Sequence, residues 1–199
     1  MFKRLLCLLT ATIATTVPAF AHVGVGSRDS FITGFMHPLS GLDHIVVMVA
    51  VGLWAATLGG RALWLVPTAF IASMTLGYVL SLAGTGFPVV EHMVLASVIA
   101  VGILIAASVR LPATAGAMLV GAFALFHGAA HGGELGAANS LGFGVGFIIA
   151  TALLHAAGIG VRPLFVRGIG LERQAADSVT RLLGAVAAAL GALAAFGAV

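Results

Sequence analysis

The stretch that decides the fold is His37-Pro38-Leu39-Ser40-Gly41-Leu42-Asp43-His44, which runs directly into Ile45-Val46-Val47-Met48-Val49-Ala50-Val51-Gly52-Leu53-Trp54-Ala55. Two imidazoles and a carboxylate stand at the mouth of a membrane-length apolar run. Placing an ionisable group in hydrocarbon costs roughly 2.5–3.5 kcal/mol on insertion scales unless it is paired, coordinated or wetted. The cluster therefore reads as a functional site, and a divalent metal ion is the best chemical match to His plus Asp.

The rest of the chain supports a membrane setting. Of 199 residues, 61% are hydrophobic and 8% charged, where soluble domains carry about 25% charged residues. The mean hydropathy is +1.18. The expected fold is all-α, a polytopic membrane helix bundle of six transmembrane helices after a cleaved signal peptide. The formal charge of +3 comes from scattered basic residues, without the patch and interleaved aromatics of a nucleic-acid binder.

Residues 1–21 have the order of a secretory signal: Lys3 and Arg4, the apolar Leu5–Val17, then Pro18-Ala19-Phe20-Ala21. Cleavage there makes His22 the mature N-terminus, with its amine and imidazole able to chelate metal together. Cys7, the single cysteine, leaves with the signal. An uncleaved segment would instead add a seventh span. Residues 22–199 then form one six-helix transmembrane domain. Its segments are Gly41–Leu58, Ala62–Ala83, Val89–Ser108, Ala113–His131, Ser140–Val161 and Ser178–Ala198, each near the 17–25 residues that cross a bilayer.

With the mature N-terminus outside, Arg61, Arg110, Arg162, Arg167, Arg173 and Arg181 fall at cytoplasmic ends, and only Arg28 falls outside. That distribution obeys the positive-inside rule. Gly142 with Gly146, Gly184 with Ala188, and Gly191 with Ala195 have the small-xxx-small spacing of close helix contacts.

On this topology the polar residues gather on the outer side. Ser40-x-x-Asp43 resembles a capping box, with Ser40 as N-cap. Pro38 biases His37 towards an extended backbone, from which it can fold back over Asp43 and His44. Met48 lies one turn below His44, either filling the core or offering a thioether. In Phe126-His127-Gly128-Ala129-Ala130-His131-Gly132-Gly133-Glu134, His127 and His131 share a helical face at i, i+4. That spacing lets two imidazoles hold one metal. The negative end of the helix dipole favours a cation there, and Glu134 can complete the shell or orient a ligand.

His37, Asp43, His44, His127 and His131 are thus the expected metal ligands. Glu134, His155, Glu91, His92, His22 and Met48 are additional ligand or relay candidates. His155 lies about 22 Å into the fifth segment at 1.5 Å per residue, as a second ion position or as a helix bridge bonded to Thr151. Glu91 and His92, after Pro88, also suit an ordinary helix start.

At these residues the chain resembles the HupE/UreJ family of nickel/cobalt permeases. The resemblance is carried by His37-Pro38-Leu39-x-Gly41-Leu42-Asp43-His44 with Met48, Gly52, Leu53, Trp54 and Ala55, and by Gly59-Gly60-Arg61-Ala62-Leu63-Trp64-Leu65-Val66-Pro67. It continues in Phe126-His127-Gly128-x-Ala130-His131-Gly132-x-Glu134 and in Gly146-Phe147-x-x-Ala150-Thr151-x-x-Leu154-His155-x-x-Gly158.

The resemblance implies secondary import of Ni2+ or Co2+ across the inner membrane, to supply enzymes such as hydrogenase or urease. It carries over to His37, Asp43, His44, His127, His131, Glu134 and His155. Ala129 departs from the family, whose members often have His or an aromatic there, and His92 is outside its motifs. The expected partners are the lipid bilayer and a divalent metal ion as cargo, Zn2+ included, with no nucleic acid, no permanently bound cofactor and a homo-oligomer left open. An intramembrane zinc-dependent hydrolase, with Asp43 or Glu134 activating water, is the first rival. A non-transporting metal sensor or chaperone is the second.

Overall fold

The computed structural model describes residues 30–132 and 140–197. The signal segment 1–21, His22, Arg28, Gly133, Glu134 and the last residue of the sixth expected segment lie outside the described residues. Seven α-helices occupy what is described: α1 Ser30–Ser40, α2 Leu42–Leu58, α3 Ala62–Leu82, α4 Val90–Ala106, α5 Ala113–Gly132, α6 Ser140–Pro163 and α7 Arg173–Ala195. A π-helical turn, Leu164–Gly168, extends α6.

α3, α5, α6 and α7 are each long and apolar enough to cross a membrane, and α1 with α2 qualifies as a fifth span bent by 80°. α4 is apolar but has 17 residues, about 25 Å at 1.5 Å per residue, short of a hydrocarbon core of about 30 Å. The fold is therefore all-helical with four to five spans by length and composition. The burial pattern suits lipid: Met118, Leu141, Leu153 and Leu182 face outward, while His127, Ser97, Thr151 and His155 are fully enclosed.

Three sequence expectations need correction. His37 is helical, in the last turn of α1, with Pro38 inside that helix. The bias imposed by proline is overridden by packing, because α1 lies so close to α6 that a Cβ on Gly34 would collide with the Phe143 backbone. Ser40 does not cap α2; its hydroxyl donates to the His37 carbonyl at 2.7 Å. The N-cap is Gly41, in an extended conformation with φ −99° and ψ 123°. The last helix begins at Arg173 rather than Ser178; its polar first turns carry Asp177, which pairs with Arg162 at 2.9 Å.

Small residues set the helix pairs, as their spacing predicts. Gly142 and Gly146 face α1, and Gly184 and Gly191 face α4. Gly77 and Gly128 bring α3 and α5 into backbone contact, and Gly52 and Gly158 do the same for α2 and α6. Such faces replace the hydrophobic drive that is absent between helices in lipid.

Candidate metal centre

The break between α1 and α2 builds one wall of the centre. Helix α1 delivers His37 from its last turn, and α2 restarts with Asp43 and His44 in its first. A Cβ on Gly41 would stand 2.8 Å from Asp43 Oδ1 and 3.2 Å from His44 Nδ1, so a larger residue there would displace these two side chains. Helix α5 supplies the opposite wall with His131 in its last turn.

These elements bring His37, His44 and His131 together, with one ligand atom from each within 4.8 Å of the others. His44 Nε2 and His131 Nε2 are 2.8 Å apart. The His37 ring centroid is 4.2 Å from that of His131 and 5.9 Å from that of His44. At a metal–nitrogen distance of about 2.0–2.1 Å, two nitrogens at right angles around an ion lie about 3 Å apart. The His44–His131 spacing is within a few tenths of an ångström of that.

Hydrogen bonds decide which imidazole nitrogens are available. His44 Nδ1 lies 3.0 Å from Asp43 Oδ1; the carboxylate accepts the Nδ1–H and leaves Nε2 with its lone pair towards His131. A metal-binding histidine is commonly oriented in this way by a carboxylate. Ser97 Oγ donates to the Val94 carbonyl and lies 2.8 Å from His127 Nε2. With its proton committed, the hydroxyl accepts from His127, whose Nδ1 is then unprotonated. His155 Nδ1 donates to the Met48 carbonyl at 2.7 Å, which leaves Nε2 as its bare nitrogen. His127 Nδ1, His131 Nδ1 and His155 Nε2 are buried with no hydrogen-bond partner among the described residues. Each is an imidazole nitrogen left free to accept a hydrogen bond or to hold a cation.

The i, i+4 pair thus divides. His131 joins the three-histidine cluster, whereas His127 sits one turn along α5, 5.6 Å from the His44 ring, and belongs to a polar contact with α4. Beyond it the Phe70 ring lies 5.5 Å from His127 and 4.9 Å from His155. His155 is nearer the cluster than its sequence position implies. Its partner Met48 follows His44 by one turn on α2, about 6 Å, and Phe147, two turns before His155 on α6, lies 4.9 Å from His131. Thr151 does not bond His155; it donates to the Met74 sulfur at 3.7 Å.

Met48 is fully buried, and its backbone carbonyl makes the polar contact. Glu91 and His92 are exposed at the start of α4, outside the three-histidine cluster. Glu91 lines a separate cavity of about 400 Å3 with Ala129 and Ala130. Ser97 and Phe70 escaped the sequence reading, since serine and phenylalanine in apolar segments carry no sign of their role.

Outward apolar faces on a helical bundle, with three imidazoles gathered in it, define a helical membrane protein with a candidate metal site. The chain matches the family described as HupE / UreJ protein over residues 9–194 and belongs to that family. It is 46% identical over 159 residues to Protein HupE of Rhizobium leguminosarum bv. viciae, covering 78% of this chain and 83% of that protein. No solved structure matches.

Proposed function

We propose that the protein is a secondary permease that imports a divalent transition metal, Ni2+ or Co2+ with Zn2+ as a further candidate, across the bacterial inner membrane. The observation that carries this reading is the convergence of His37, His44 and His131 inside an apolar bundle of the HupE/UreJ family. The ion is captured from the outer side by these imidazoles, with Asp43 holding His44 in its ligating tautomer and offsetting the cation's charge. His127 takes the next position and His155, past Phe70, the one after. Glu134, Glu91, His92 and His22 are further candidate ligands or relay residues, and Met48 contributes through its carbonyl by fixing His155.

Mixed imidazole and carboxylate donors suit Ni, Co and Zn, with selection set by geometry and availability rather than raw affinity. An inside-negative potential drives a +2 ion inward by about 4.6 kcal/mol per 100 mV, twice the unit-charge value. Neutral imidazoles bind metal and protonated ones release it, so uptake weakens as the medium is acidified. The family supports transport over the hydrolase reading. The mature N-terminus is outside, the cargo passes indirectly to nickel enzymes, and a homo-oligomer is compatible with this arrangement.

Purified protein in proteoliposomes tests the proposal. Saturable metal influx that disappears in His44→Ala and His131→Ala is the expected result. Metal bound at fixed stoichiometry without flux would refute transport and return the protein to a sensor or enzyme role.

A further inference from the structure

At the end of the bundle remote from the histidines, three arginines from three elements converge on a cavity of about 180 Å3. Arg110 comes from the α4–α5 connection, Arg162 from the end of α6 and Arg181 from the third turn of α7. The volume is well above the roughly 10–15 Å3 that admits one water. Asp177 is the one carboxylate in the lining. It accepts from Arg162 Nε and Nη2 at 3.0 and 2.9 Å. Arg110 and Arg181 have no carboxylate partner among the described residues. Among the described residues Arg181 spends only its Nε, on the Ala106 carbonyl at 3.0 Å, out of five guanidinium donors. The lining therefore carries an excess of two positive charges and many unspent donors, with the Thr57 and Ser108 side chains beside them.

Planar guanidinium forks match the oxygens of a phosphate bidentately. The cavity opens where spans end, and basic pockets between transmembrane helices at an anionic leaflet recognise lipid headgroups. We propose that this basic cavity binds a phosphate group, and that the headgroup of an acidic phospholipid supplies it. The site is separate from the histidine cluster and does not depend on what that cluster carries. Asp177 competes with the ligand for Arg162 and sets the affinity.

Full-length protein in neutral detergent, titrated with phosphatidylglycerol, phosphatidylcholine and inorganic phosphate, tests this by native mass spectrometry and thermal unfolding. Phosphatidylglycerol is expected to bind at a discrete stoichiometry and raise the unfolding temperature. Arg110→Gln should weaken binding about tenfold or more, as loss of a charged hydrogen-bonding partner does. Asp177→Asn should tighten it, an effect that misfolding does not imitate. Inorganic phosphate that binds with the same Arg110 dependence, while lipid does not, upholds the phosphate site and assigns it to the free ion. Equal binding of phosphatidylglycerol and phosphatidylcholine, or affinities untouched by both Arg110→Gln and Asp177→Asn, would overturn the proposal.

Discussion

The cluster of His37, His44 and His131 and the pair formed by His127 and His155 use one side chain in two different ways. In the cluster the rings address one another, and His44 leans on a carboxylate that is partly open to solvent. In the pair the rings are fully buried, separated by Phe70, and anchored to neutral groups: a serine hydroxyl and a backbone carbonyl. A carboxylate helps a site that must attract a cation from water. Neutral anchors fix a tautomer without adding charge, which suits positions that an ion must also leave.

The largest effect that would break this contrast comes from the cluster. His131→Ala removes a ring that approaches both His37 and His44, and metal uptake should fall more than about 100-fold, beyond the 10–100-fold typical of losing a ligand's supporting partner. Asp43→Asn comes next. It keeps shape but removes charge, so affinity measured by metal titration should fall about 10–100-fold with the helical fold intact by circular dichroism.

Ser97→Ala probes the pair. It strands the His127 Nε2–H, costs about 1–3 kcal/mol in stability, and should slow flux while leaving the affinity of the three-histidine cluster within a few-fold. Equal losses of affinity in Ser97→Ala and Asp43→Asn would erase the distinction between cluster and pair. Gly52→Ala sharpens it from the packing side. Its Cβ would collide with the His155 backbone carbonyl, part α2 from α6 and weaken the Met48–His155 bond. Overpacking of this kind costs about 1–3 kcal/mol, seen as a lower unfolding temperature with metal capture retained.

Much of the helical plan was legible because apolar run length and small-residue spacing are local properties. Gly142, Gly146, Gly184 and Gly191 face the close contacts that their spacing announces. The depth and partners of the site were not legible, because they depend on how helices are offset along one another. His155 counted from Ser140 lies deep in α6, yet Gly52 seats α2 against its backbone and its ring bonds the Met48 carbonyl, one turn after His44. Likewise, i, i+4 spacing puts His127 and His131 on one face but says nothing of α4, whose Ser97 claims His127. His37 shows local bias losing to packing: the residue before Pro38 is helical because α1 is pressed onto α6.

X-ray absorption of the Ni2+-loaded protein tests the central claim most directly. Imidazole scattering should indicate about three histidine ligands near 2.0–2.1 Å, the range for metal–imidazole bonds, and the count should fall by one in His37→Ala, His44→Ala or His131→Ala. A nickel shell without imidazole, or a count unchanged by all three substitutions, would contradict the account.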